Sequence, residues 1–332
     1  MRFLTGLVCT LMMLAFGTET GSAREAGAPE WRIVIHGGAG VILRENLSAE
    51  QEAAYTAALE TSLKAGGEVL ASGGSAVDAV QAAVLTMEDD PLFNAGRGAV
   101  MTAARIHELD ASIMDGRERN AGAVAGVTRV RNPILAARAV MDQSEHVMFA
   151  GQGADNFSES VGLELVDNSY FTTERRSQAL DRVLREQTRT DADRHGTVGA
   201  VAIDKDGNLA AATTTGGMTA KAAGRIGDSP IIGAATYAQN GVCAVSATGH
   251  GEYFIRVGVA KTICSRVELA SETITAAAEN ALGQVETLGG DGGVIVMGGE
   301  GQYAYVFNSA GMYRGMMDAS GAMETAIFEQ GE

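Results

Sequence analysis

Chemistry in this sequence centres on Gly196-Thr197, inside the run His195-Gly-Thr-Val-Gly-Ala-Val-Ala-Ile-Asp204. If the bond between the two residues is cut, Thr197 carries both a hydroxyl nucleophile and a free α-amine. A hydroxyl attacks poorly until a base takes its proton, and an α-amine with a pKa of roughly 7.7 to 8.0 suits that task near neutral pH. Taken in isolation, the pair reads as the plain opening of a β-strand. The choice between these readings rests on the rest of the chain.

Several ordered motifs surround the pair. Before it stand Ile35-His-Gly-Gly-Ala-Gly-Val41, Pro91-Leu-Phe-Asn-Ala-Gly-Arg-Gly98, His107-Glu-Leu-Asp-Ala-Ser-Ile-Met-Asp-Gly116 and Asn120-Ala-Gly-Ala-Val-Ala-Gly126. After it come Asp206-Gly-Asn-Leu-Ala-Ala-Ala-Thr-Thr-Thr-Gly-Gly-Met218, Gly224-Arg-Ile-Gly-Asp-Ser-Pro-Ile-Ile-Gly-Ala234, Ala247-Thr-Gly-His-Gly-Glu252 and Gly311-Met-Tyr-Arg-Gly315. Together they resemble the plant-type asparaginases, also called isoaspartyl peptidases or threonine aspartases, of the N-terminal-nucleophile hydrolases. The resemblance implies an α+β fold, a four-layer αββα sandwich. It also implies self-cleavage at Gly196-Thr197 into an α subunit, residues 24–196, and a β subunit, residues 197–332.

Roles follow from the resemblance position by position. Thr197 is the implied nucleophile, and Thr215 the threonine whose hydroxyl bonds and tunes it. Thr248, through its hydroxyl, and Gly249, through its N–H, are the implied oxyanion donors, which must meet the charge that develops on the attacked carbonyl. Arg225 is expected to hold the substrate α-carboxylate by two parallel hydrogen bonds and Asp228 the α-ammonium. By spacing alone, that Arg and Asp read as a surface salt bridge. Gly251 and Asn94 complete the implied substrate site, and His250 is a candidate specificity residue. The backbone carbonyls of Glu88, Asp90, Phe93 and Ala95 match a loop that holds a structural sodium ion in the family. The implied activity is hydrolysis of β-aspartyl dipeptides and L-asparagine, with release of L-aspartate, by a homodimer of processed αβ units. A glycosylasparaginase-like amidase is the neighbouring alternative, although that branch has Asp where this chain has Gly196. An exported amino-acid-binding protein without activity is the alternative from another class.

Composition narrows the classes further. A formal charge of −16 opposes nucleic-acid binding, which needs clustered Lys and Arg. The 332 residues, 46% of them hydrophobic, suffice for a sizeable core. None of the five histidines lies in a His-Glu-x-x-His pattern, and His36-Gly-Gly-Ala-Gly40 lacks the closing Gly-Lys-Ser/Thr of a P-loop. No catalytic metal or cofactor is expected. Met1-Arg2, the apolar residues 3–17 and the small residues Gly21-Ser-Ala23 read as a secretory signal cut after Ala23, which predicts a periplasmic or secreted protein without a membrane span. Cys9 would leave with it. Cys243 and Cys264 remain, either as a disulfide or as small core residues.

The elements that must position these residues show in the periodicity. Residues 32–36 read as a buried strand ended by glycines. A helix is predicted over 48–71, with Ser48 as N-cap and Gln51 as its capping-box partner. Further helices are predicted over 75–87, 133–141, 172–189, 252–265 and 272–288. Strands are expected at 107–114, 121–127, 198–203, 209–214, 242–248, 292–297 and 303–308. Residues 204–208 suggest a hairpin turn, and the polar stretch 188–195 an exposed linker.

Overall fold

The computed structural model describes residues 30–40, 42–187 and 196–328. The expected leader with its cut after Ala23 and the expected linker 188–195 lie outside the described residues. One sheet of eight strands contains β1 (Arg32–Gly40), β2 (Leu109–Asp115), β3 (Ala121–Val127), β4 (Met148–Ala150), β5 (Val198–Ile203), β6 (Leu209–Thr215), β11 (Gly311–Asp318) and β12 (Met323–Phe328). Its order is β12-β11-β1-β5-β6-β2-β3-β4, antiparallel except for the β3/β4 pair. A second sheet holds β7 (Thr236–Gln239), β8 (Cys243–Gly249), β9 (Gly292–Gly298) and β10 (Tyr303–Phe307) in the order β10-β9-β8-β7.

The sheets pack face to face through β1, β5 and β6 against β8 and β9. On the outside of the large sheet lie α1 (Ala49–Ala71), α2 (Ala76–Asp89) and α3 (Pro133–Gln143); α7 (Val259–Ala270) and α8 (Ile274–Thr287) cover the small one. The result is the four-layer αββα sandwich. Strands at its centre are buried on both faces, so they read as unbroken apolar runs. In β5, Val198, Ala200 and Ala202 join the core beneath α1 and α2, while Val201 and Ile203 join the core between the sheets.

Local chemistry accounts for most boundaries. Ser48 and Gln51 form the expected capping box at the start of α1. Asp204 closes the β5–β6 hairpin by accepting from the N–H groups of Asp206 and Asn208. Other expectations need correction. β1 does not end at residue 36 but runs through the glycines to Gly40, with an irregular register between His36 and Gly38. The single helix expected over 252–265 is two, α6 (Gly251–Val257) and α7, because Gly258 between them takes a left-handed φ of 62°. The helix expected over 172–189 is α5 (Glu174–Glu186), capped by Thr173. The strand set does not close at residue 308, since β11 and β12 follow, and β4, β7 and α4 (Gly151–Ser160) add to the expected elements. Glycine and methionine hide β11: a Cβ on Gly315 would come within 2.9 Å of Leu63 on α1, so close packing of the helix selects glycine over a good strand former.

Candidate active site

Thr197 immediately precedes β5 and Thr215 ends its antiparallel neighbour β6, with Val198 paired to Thr214. Register therefore brings the two threonines together at one end of the sheet. The Thr197 hydroxyl lies 3.2 Å from Thr215 Oγ1, which also accepts from the Gly217 N–H at 3.0 Å. Both side chains are buried. Among the described residues Thr215 is the one hydrogen-bond partner of the Thr197 hydroxyl, and no histidine or carboxylate reaches it.

Gly196, the residue before, has φ +135°, in the region that favours glycine. It is crowded as well. A Cβ on Gly38 of β1 would come 2.9 Å from the Gly196 Cα, and a Cβ on Gly196 would come 3.0 Å from that of Asn94. Asn94 spends both ends of its amide on backbone, donating to the Gly217 carbonyl at 2.7 Å and accepting from the Val100 N–H at 2.9 Å. It thereby ties the loop after α2 to the loop after β6.

The small sheet contributes the end of β8. Thr248 Oγ1 accepts from the Ala39 N–H at 3.3 Å, which brings this strand end against the β1 glycines. Among the described residues, no acceptor lies within hydrogen-bond reach of the Thr248 O–H. Gly249 pairs with Gly292 and has no space for a side chain, since a Cβ would come 2.6 Å from the Phe254 ring. At Gly251 a Cβ would come 2.8 Å from Asp228 Oδ1 and 3.1 Å from Arg225 Nη2. The start of α6 therefore touches both expected substrate-holding side chains.

Those two side chains do not pair with each other. Arg225 binds Glu252 through Nε and Nη2, at 2.9 and 3.0 Å, and the same carboxylate lies 3.5 Å from His250 Nε2. Neither the surface Arg–Asp pair nor an unoccupied two-bond edge at Nε and Nη2 is found; Arg225 Nη1 remains, near Gly217. Asp228 is buried, Oδ2 has no hydrogen-bond partner, and burial pushes its pKa up to about 7. A buried carboxylate with a free oxygen is suited to a cationic ligand group.

Behind Thr197 runs a buried polar chain that no local sequence signal announced. The Thr197 carbonyl contacts His36 Nδ1 at 3.1 Å, and His36 Nε2 contacts Ser246 Oγ at 2.8 Å. From Ser246 it passes to Thr213 at 2.7 Å, to Thr236 at 2.6 Å and to Ser112 at 2.7 Å, and it ends on the Ser229 carbonyl beside Asp228. Desolvation lowers the His36 pKa to about 3, so the ring is neutral. A neutral imidazole and four hydroxyls supply five protons for these six contacts. The chain links the residue at the cleavage point to the loop carrying Asp228. Nearby, Lys221 is buried, donates to the Glu108 carbonyl at 2.8 Å and lies 4.0 Å from Asp110.

The loop expected to hold sodium turns tightly after α2. Gly96, at φ +47°, lies against the Glu88 carbonyl, and Gly98 against those of Phe93 and Pro91, too close in each case for any Cβ. The Asp90 and Ala95 carbonyls accept from the N–H groups of Phe93 and Gly98. The Glu88 side chain points elsewhere, to the Ile134 N–H at 3.0 Å and the Thr214 hydroxyl at 2.7 Å.

Comparison with known proteins adds an independent finding. The sequence pattern of a family described as asparaginase matches residues 29–327. The isoaspartyl peptidase of Escherichia coli is 46% identical over 308 residues, covering 90% of this chain and 96% of that protein. The isoaspartyl peptidase/L-asparaginase of Mus musculus is 40% identical over 305 residues, covering 91% and 92%. Its Homo sapiens counterpart is 41% identical over 285 residues, covering 84% and 91%.

Proposed function

The chain belongs to the asparaginase family, and from that premise we propose that it is an autoprocessing hydrolase that cleaves β-aspartyl dipeptides and L-asparagine, releasing L-aspartate. In the precursor the Thr197 hydroxyl attacks the Gly196 carbonyl. The acyl group moves from nitrogen to oxygen, and water hydrolyses the ester. Only glycine fits the positive φ and the close packing against Asn94 and Gly38 at this position, which suits Gly196 to be the residue cut from Thr197. In the mature enzyme the freed α-amine takes the hydroxyl proton, and Thr197 Oγ1 attacks the β-carbonyl of the substrate. Thr215, accepting from Gly217, turns its own proton towards the Thr197 oxygen as charge develops there. The Thr248 hydroxyl and the Gly249 N–H receive the oxyanion. The leaving nitrogen departs with a proton, and water then releases aspartate from the ester. Asp228 holds the substrate ammonium, and Arg225 offers its Nη1 side to the carboxylate while Glu252 steadies the guanidinium.

The observation that carries this reading is the contact between the Thr197 and Thr215 hydroxyls directly after a positive-φ glycine. A glycosylasparaginase-like reading fits less well, because Gly196 has no space for a side chain beside Asn94. Export with removal of residues 1–23, assembly into a dimer of αβ units, and a sodium ion on the carbonyls of Glu88, Asp90, Phe93 and Ala95 belong to the same proposal. The disulfide-compatible cysteines support export. The likeness of this loop to the family's sodium-holding loop supports the ion, which would be structural and stiffen the loop that carries Asn94.

Purified protein should run as two fragments on a denaturing gel, and sequencing of the smaller should begin Thr197-Val198-Gly199. Thr197→Ala should remain a single inactive chain. A different start, or an intact chain with full activity, removes Thr197 as nucleophile.

A further inference from the structure

The imidazole of His36 is wholly buried and contacts the residue that carries the proposed chemistry. β1 and β5 pair with His36 opposite Gly199, two residues after Thr197. A Cβ on Gly199 would come 2.6 Å from His36 Nε2 and closer still to Ser246 Oγ, so glycine leaves the ring its place over β5. From there Nδ1 reaches the Thr197 carbonyl at 3.1 Å and Nε2 the Ser246 hydroxyl at 2.8 Å. Burial keeps the ring neutral, with its pKa lowered to about 3, so it has one proton for two contacts. The two partners differ in kind. A carbonyl oxygen only accepts, whereas a hydroxyl either donates or accepts. A proton on Nδ1 therefore makes both bonds, Nδ1–H to the Thr197 carbonyl and the Ser246 O–H to Nε2, while a proton on Nε2 sets a lone pair against the carbonyl. At the other end of the run Ser112 likewise faces a pure acceptor, the Ser229 carbonyl, so the one contact without a proton falls among the hydroxyls between.

What this bond does depends on the cut between Gly196 and Thr197. In the precursor the chain holds Thr197 on both sides; in the mature enzyme Thr197 is the first residue, and its amine has no covalent tether. Its hydroxyl is then anchored on Thr215 at 3.2 Å and its carbonyl on His36 at 3.1 Å, one on each side of the Cα. The carbonyl anchor fixes the peptide plane, the hydroxyl anchor fixes the side chain relative to it, and the amine is left one place beside the oxygen whose proton it takes. We propose that His36 is a positioning residue of the mature enzyme: as the Nδ1–H tautomer it holds the carbonyl of the terminal Thr197 and so keeps the α-amine in line for proton transfer from Oγ1. The proposal rests on the hydrolase reading above. The ring bonds go to Thr197 and Ser246 and not to Arg225 or Asp228, so loss of the hold acts on turnover rather than on substrate binding.

Side-chain amides separate the two ring nitrogens, because the amide nitrogen of Asn overlies Nδ1 and that of Gln overlies Nε2. With L-asparagine as substrate for the processed enzymes, His36→Asn should retain most of kcat, whereas His36→Gln should lose about a hundredfold, the scale expected when reacting groups are misplaced. KM should keep its wild-type value in both. Equal losses of kcat in the two variants, or a loss carried by KM, would show a merely structural ring and overturn the proposal. A second measurement asks neither variant to fold or to cut itself: nitrogen NMR of histidine-labelled wild-type enzyme should place the His36 proton on Nδ1 from about pH 5 to 8, as a ring held neutral by burial requires. A proton on Nε2 overturns the proposal whatever the kinetics. A wild-type chain that remains uncut, or a Thr197→Ala variant that still hydrolyses asparagine, would instead overturn the hydrolase reading, and the tautomer, read without turnover, is decided separately.

Discussion

Asp228 is the residue whose ionisation decides recognition. Its carboxyl is pushed up to about 7 by burial, and only the ionised form attracts an ammonium group. Ionisation rises roughly tenfold between pH 6 and 8 for a group titrating near 7. The KM for L-asparagine should therefore fall by about that factor as pH rises across this window, and Asp228→Asn should lose the dependence together with most of the affinity. A KM that stays flat from pH 6 to 8 in the wild-type enzyme would remove Asp228 from ammonium binding. Individual chemistry-bearing residues were the most legible part of the sequence: Thr197, Thr215, Thr248 and Asn94 stand in quotable motifs and lie around one point in space. Partners were not legible. Glu252 on Arg225 and Ser246 on His36 join positions 27 and 210 residues apart, and nothing local marks either bond.

Among the elements, α2, α3 and β6 meet on one buried carboxyl group. Glu88, in the last turn of α2, accepts from the first turn of α3 and from Thr214 near the end of β6, one residue before Thr215. Burial pushes its pKa up to about 8 from an ordinary value near 4.5. The folded protein thus holds a proton that the unfolded chain releases above about pH 4.5, and stability declines as pH rises from there to about 8. Asp228, raised for the same reason, adds a decline ending near pH 7. Glu88→Gln keeps the shape and removes one titration, so the fall in Tm between pH 5 and 8 should be shallower in the variant. Parallel Tm profiles would show that Glu88 does not titrate in this window. Helix starts were readable because their caps are local, as at Ser48. The break at Gly258 and strands β11 and β12 were not, because backbone sign and helix contact overrode propensity there.

Across the whole molecule, Cys243 and Cys264 are joined as a disulfide that ties α7 to the first residue of β8, with Cα atoms 5.6 Å apart. Closing a loop of this length restricts the unfolded chain by about 3 kcal/mol. Reduction, or Cys264→Ser, should lower Tm by several degrees, and an unchanged Tm under reducing conditions would show that the link adds nothing to stability. The same strand ends at Thr248 and Gly249, so the link braces the small sheet's contribution to the site. Contiguous motifs carry the family, the αββα layering that the family implies and the candidate nucleophile, while local periodicity carries most helices and strands. Only the tertiary arrangement shows that the two cysteines pair, that Arg225 leans on Glu252 and that a chain of hydroxyls runs from His36 to Ser229. Each depends on which distant segments the sheets and helices bring together, and a side chain's partner across such a distance is set by packing of the whole fold rather than by its neighbours in the chain.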